Sequence, residues 1–208
     1  MKNINSIFNK NYKDYLKKVA MSDFSSKKDI LGIEIKDNKI DLPFLNRNFN
    51  IFSEKITDQY FIEADYSHCV LFCNYLLQCP DKKPIFSDWV SYNSFKDSAP
   101  LINYFENNTH LLIANAFTKN IDICKKACDH IGGQLVDINL PYDLVRKFYI
   151  LPKIPILFLF NDSDEEFQAV AKILFENCAE QYLDAECIAV AGTLFAQYLI
   201  KSSGLKIN

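Results

Sequence analysis

The apolar run from Ile154 to Phe160, with Pro155 at its beginning and Asn161-Asp162 directly after it, constrains this chain more than any other stretch. It is too short for a buried helix and rich in strand formers, so it reads as a strand covered on both faces. An acidic burst follows, Asp162-Ser-Asp-Glu-Glu166. Beyond it, Phe167, Val170, Ala171, Leu174, Phe175 and Cys178 recur at helical spacing, which predicts an amphipathic helix over 164–178.

Around this centre the remaining elements fall in order. Ile7, Phe8, Tyr12, Tyr15, Leu16 and Val19 predict a helix over 4–20. Ile33 and Ile35 alternate with charged residues, as do Ile40 and Leu42 after Asp37-Asn38, predicting a hairpin over 31–43 with one wet face. Phe49 to Phe52 and Ile56 to Phe61 supply further strand pieces. Asp65 caps a helix over 65–79 that is apolar almost all round and stops at Pro80. Helices over 98–131, with a break at Asn107-Asn108, end at Gly132-Gly133. Strands over 134–160, beginning with Leu135 to Ile138, lead into the central run, and a last helix spans 184–202. Strands grouped between helices, without strict βαβ alternation, predict an α+β fold, a mostly antiparallel sheet packed on several helices over one layered core. With 208 residues and no linker or repeat, 1–208 reads as one domain.

Composition narrows the function classes. A net charge of −3 with no basic cluster argues against nucleic acid. The N-terminus lacks an apolar export region, and no run approaches the roughly 20 residues of a spanning helix, so no membrane role is expected. Seven cysteines without an export signal point to reduced thiols and a cytoplasmic location. There is no G-x-G-x-x-G, Walker loop, H-E-x-x-H or G-x-S-x-G, and five glycines leave little room for a phosphate-cradling loop. The reading therefore leans away from an enzyme.

The candidate site residues each carry a plainer alternative. Asp164, Glu165 and Glu166 could hold a hard ion or act as acid and base, but Asp162 with Glu165, or Ser163 with Glu166, also fits a capping box. Cys69 and Cys73, beside His68, and Cys124 and Cys128 stand at i,i+4 and could present soft ligands on one face. Their spacing is not that of C-x₂-C knuckles, and cysteine is commonly a core residue, so packing is preferred to a metal. A histidine near a helix end, such as His68 or His110, is more often a cap partner than a catalyst. Trp89 and Tyr92 could line an apolar pocket for a planar ligand or belong to the core.

Taken together, Leu151-Pro-Lys-Ile-Pro-Ile-Leu157, Asp164-Glu-Glu-Phe167, Leu174-Phe175, Tyr182-Leu183 and Glu186 occur in the order of one known family. His68 to Leu77, Trp89-Val-Ser-Tyr92 and Gly132-Gly133 extend the match upstream. The chain resembles domain-of-unknown-function family 3786, found mostly in anaerobic bacteria and archaea, over about residues 10 to 200. Some members look fused to a small cysteine-rich iron–sulfur module. That module is absent from this sequence, so the resemblance implies that an electron-transfer link would come from a separate redox or iron–sulfur protein. The glycines expected around Asp97-Ser98 are missing too, which weakens a ligand loop there. The resemblance implies architecture and context rather than a reaction, and no cofactor is specified.

Three functions follow as expectations. The first is a cytoplasmic binding or accessory protein of anaerobic metabolism, holding a small ligand or redox cofactor near Trp89, Tyr92 and the Asp164, Glu165, Glu166, Phe167 turn. The alternatives are a metal-dependent enzyme built on the Asp164–Glu166 carboxylates, and a ligand-free partner-binding protein.

Overall fold

A computed structural model describes residues 12–37, 39–86 and 88–205. Helix α1 spans residues 12–20, so the part of the expected 4–20 helix before residue 12, including Ile7 and Phe8, lies outside the described residues. A short α2 (Lys28–Leu31) ends on Gly32, whose φ of 66° suits a residue without a side chain. Then come β1 (Glu34–Lys36), β2 (Lys39–Phe44), β3 (Arg47–Ile51) and β4 (Ile56–Asp58), a four-stranded antiparallel meander in sequence order. The expected 31–43 hairpin is its first half; Asn38 of its turn lies outside the described residues.

Helix α3 (Tyr66–Leu77) starts where Asp65 accepts the His68 amide at 3.0 Å and buries Leu71, Phe72, Cys73 and Leu76. Phe72 meets Phe44 and Phe49 of the meander with ring centroids 5.4 and 4.9 Å apart, fixing this helix to the sheet.

The second four-stranded antiparallel sheet has the order β5-β8-β7-β6: β5 (Trp89–Ser91), β8 (Val170–Glu176), β7 (Ile154–Asn161) and β6 (Leu144–Leu151). The fold is α+β, but its strands divide into two sheets over one continuous apolar core. Leu45 joins them, donating its amide to Ile150 O at 3.0 Å.

Three expectations change. Residues 164–178 are not a helix: Val170–Glu176 is β8, paired along β7 from Asn161↔Val170 to Ile156↔Phe175. The segment fits both periods, since Ala171, Ile173 and Phe175 alternate inward while Lys172 and Glu176 do not. A fully apolar β7 needs a strand on each side to satisfy its backbone, and that non-local demand overrides the helical spacing. Leu135 to Ile138 forms no strand; only Gln134 bridges to Lys147. In 98–131, α4 (Ile102–Phe105) continues through a π-turn (Glu106–His110) into α5 (Leu111–Phe117). The chain breaks later than expected, at Thr118–Asn120, before α6 (Ile121–His130).

Helix α7 (Ala185–Ser203), capped by Asp184 accepting the Cys187 amide at 2.8 Å, runs through the centre. It packs on α3, α4, α5 and α6, and Phe195 meets Phe148 and Phe158 on the inner face of the second sheet. No helix of the described residues is long and apolar enough to cross a membrane.

Candidate functional site

The acidic burst occupies the β7–β8 turn. Asp162 accepts the Lys119 amide at 2.6 Å on one oxygen and the Ile121 amide at 3.1 Å on the other. Those amides open α6, whose own N-cap residue Asn120 makes no side-chain cap. Asp162 therefore caps a helix distant in sequence, and its negative charge faces the positive end of that helix. Asp164 closes its own turn, accepting the Glu166 and Phe167 amides at 2.8 and 2.7 Å. These bonds, Phe167 first, hold its carboxyl below the usual carboxylate range. Glu165, Glu166 and Phe167 stand exposed. Asp162 and Asp164 do accept backbone amides, as a capping role requires, but not those of a helix at 164–178.

Trp89 and Tyr92 separate. Trp89 lies opposite Glu176, at the far end of β8 from the acidic turn, about 20 Å along the strand at ~3.3 Å per residue. Its ring meets Phe86 at 5.6 Å, and Lys147 Nζ sits 5.5 Å from it on the outer face of the sheet. Tyr92 turns inward, stacks on Phe105 with centroids 4.4 Å apart, and donates its hydroxyl to Ala185 O at 3.0 Å. Burial raises its pKa. Trp89, Tyr92 and the Asp164–Phe167 turn thus share no single pocket.

The four cysteines of the two candidate pairs are all buried. Cys69 and Cys73 lie inside α3, where burial pushes their thiols up to about 11 and about 12. Cys124 and Cys128 are buried one turn apart on α6; their mutual hydrogen bond, then burial, raises Cys128. His68 Nδ1 donates to Asp65 Oδ1 at 2.8 Å, within a ring of Phe44, Phe49, Phe72 and Tyr198. Among the described residues no three or more His, Cys, Asp or Glu side chains gather as a metal-binding group.

The convergence that sequence reasoning missed lies beside the π-turn. Glu106, His110, Lys172, Ser91 and Asn93 line a cleft of about 280 Å³ together with the exposed Ile102 and the buried Phe105. A π-turn inserts one residue into the helical ladder, and such insertions recur at functional sites. Here it directs His110 onto β8. His110 Nε2 accepts the Ile173 amide at 3.0 Å, so its proton rests on Nδ1, which donates to Glu106 Oε2 at 2.7 Å. Burial, ahead of the raising effect of Glu106, lowers its pKa and keeps the imidazole neutral. β5 pairs only with Leu174–Glu176, so β8 between Val170 and Ile173 has β7 on one side and this cleft on the other. His110 acts there in place of a strand carbonyl. The sequence marks this only weakly, through the Glu106/His110 i,i+4 spacing.

Comparison with known families matches residues 23–198 to the domain of unknown function DUF3786. The chain belongs to this family. No curated protein and no solved structure matches it. The match runs from the turn before α2 to the last third of α7, so both sheets, the π-turn and the cleft are features of the DUF3786 segment of the chain.

Proposed function

We propose that this DUF3786 chain is a non-catalytic binding protein that takes a small amphipathic ligand in the cleft between β5, the π-turn and β8. The single observation that carries this reading is the convergence of Ser91, Asn93, Glu106 and Lys172 with the apolar Ile102 and Phe105 in one cleft. Of the titratable lining groups, His110 has both nitrogens engaged and Glu106 is tied to it, which leaves no free acid–base pair for catalysis. Lys172 is exposed and carries the open charge. A carboxylate head on Lys172 with an apolar body against Ile102 and Phe105 matches this lining.

The size restricts the ligand further. About 280 Å³ falls just below the roughly 300–1,000 Å³ of pockets that enclose drug-sized molecules. A corrinoid or haem macrocycle is too large for this cleft. An accessory role with a separate redox protein is compatible with this reading, with the cleft supplying the ligand side of it. The metal-dependent alternative on Asp164, Glu165 and Glu166 is less favoured, because Asp164 is committed to two amides and the two glutamates are exposed.

Nuclear magnetic resonance titration with small carboxylates, benzoate and hexanoate, against the matching alcohols tests the reading. The expected result is saturable shifts of the Ser91, His110 and Lys172 amides with the carboxylates only, lost in Lys172→Glu. Shifts confined to other surfaces, or none that saturate, would overturn it.

A further inference from the structure

Far from the cleft, the turn after β4 presents Tyr60, Phe61 and Ile62 to solvent at 70%, 77% and 64% exposure. Three consecutive large apolar side chains in solvent work against solubility and do nothing for the core. The turn is nevertheless built firmly. The buried Asp58 carboxylate accepts the Tyr60 and Ile62 amides at 2.8 and 3.0 Å on the same oxygen. The Asp58 backbone closes the loop twice more, accepting from Phe61 at 3.0 Å and donating to Ile62 O at 2.9 Å. At its tip Phe61 holds a φ of 64°, a left-handed conformation disfavoured for a bulky residue. The chain therefore spends backbone strain to hold an aromatic ring outward, and strain of that kind gathers at functional sites.

The surrounding charge selects what it meets. Between residues 58 and 65 stand Asp58, Glu63 and Asp65 and no lysine or arginine, and Glu63 and Asp65 are exposed beside the apolar tip. Arg47 shares the neighbourhood, 5.1 Å over the Tyr198 ring, and Lys39, which borders the same groove as Phe61 with Glu34 and Asp41, is paired with Asp41 at 2.9 Å. An anionic lipid surface attracts basic segments and would repel this rim. A two-fold contact between copies would bring two acidic rims together. We infer that Tyr60-Phe61-Ile62 is a preformed knob for a different protein, one that offers an apolar pocket rimmed by lysine or arginine. The aromatic tip supplies the buried anchor and the acidic rim the orientation and steering.

A photo-crosslinking phenylalanine analogue placed at Phe61 in the full chain, in the cells that produce it, tests this; the same probe at the exposed Met21 is the control. The expected result is one heterologous protein joined from Phe61 and not from Met21. That protein, once purified, binds the chain, binds Phe61→Asn at least about 30-fold more weakly, and binds Glu63→Lys more weakly at low salt. Phe61→Asn, which suits the left-handed backbone, leaves the thermal midpoint unchanged or raises it. Crosslinks to lipid alone, to a second copy alone or to nothing would overturn the inference. So would a partner indifferent to Phe61→Asn, or a fall in thermal midpoint, which would give Phe61 a role in the fold itself.

Discussion

His110 Nε2 accepts the amide hydrogen of Ile173 at 3.0 Å, across 63 residues of sequence, and so finishes the edge of β8 that β5 leaves unpaired. One side chain thereby ties the π-turn to the second sheet and shapes the wall of the cleft. Its removal leaves a buried N–H without a partner. His110→Ala is expected to destabilise the chain by about 1–3 kcal/mol, read as a lower urea midpoint with faster hydrogen exchange at Ile173. His110→Gln, which can place an oxygen near the same amide, recovers part of the loss.

The same contact sets a pH dependence. Burial lowers the folded-state pKa of His110 below its ordinary 6.5, so the unfolded chain binds this proton more readily. Stability from this group is present above about pH 6.5 and is lost as pH falls from there through the lower folded value. Protonation turns Nε2 into a donor facing the Ile173 donor. Of the charged groups facing the ring, Glu106 opposes the shift and Lys172 reinforces it. Asp65 and Asp164 have lowered carboxyl pKa values, so their contributions disappear only at more acidic pH, below the ordinary carboxylate range. Denaturation midpoints between pH 7 and 5 are expected to fall in the wild type and to change less in His110→Gln. An equal slope in both would assign the effect elsewhere.

Asp162 joins the acidic turn to α6 by accepting the Lys119 and Ile121 amides. Asp162→Ala is expected to cost about 0.5–2 kcal/mol, the range for a lost helix cap, and to speed amide exchange at residues 119 and 121. Asp162→Asn, which keeps an acceptor oxygen, should recover much of it. If the burst were instead a metal site, metal content would fall in Asp162→Ala while exchange at α6 stayed the same.

These contacts show where sequence reasoning reaches and where it stops. The starts of α3 and α7 were legible because Asp65 and Asp184 cap the helices that directly follow them, with Pro80 and Gly204 marking the ends. β7 was legible because a run buried on both faces leaves no ambiguity of period. β8 was not, because Phe167, Val170, Ala171, Leu174 and Phe175 satisfy a helical spacing while Ala171, Ile173 and Phe175 satisfy a strand. Only the pairing with β7 decides, and that contact is not written locally. The acids between them were legible as amide acceptors, yet Asp162 serves amides 41 and 43 residues upstream. Trp89 and Tyr92 were grouped in one site, but positions three apart along an extended chain point to opposite faces, and Tyr92, just past β5, packs inward on Phe105. The cleft itself depends on a π-turn whose sequence, Glu-Asn-Asn-Thr-His, offers only the weak signal of an acid and a histidine four apart.

The thiols offer a direct test of the packing reading. All seven cysteines are free and buried, and burial is the leading cause of the raised pKa at Cys69, Cys73, Cys178 and Cys187. Reactivity needs the thiolate, so labelling by a disulfide-exchange reagent at neutral pH is expected to be slow in the folded chain and complete in denaturant. Fast labelling of one thiol in the native chain would point to a redox or metal role there.

Gly192 gives the last prediction, because it reverses a general rule. Replacing a glycine inside a helix with alanine ordinarily stabilises it by about 1 kcal/mol. In α7, a Cβ at Gly192 would intrude on the Phe105 ring, which is packed among the Tyr92, His110 and Phe175 rings and has to shift against them to make room. Overpacking of a well-filled site costs about 1–3 kcal/mol, so Gly192→Ala is expected to lower stability on balance. It should also move Phe105 in the cleft lining, weakening carboxylate binding without touching Lys172. In a Phe105→Leu background the added methyl gains room, and Gly192→Ala should then become neutral or stabilising. That change of sign in a double-mutant cycle of urea midpoints isolates the contact between α7 and Phe105; a constant effect in both backgrounds would show that the glycine is kept for another reason.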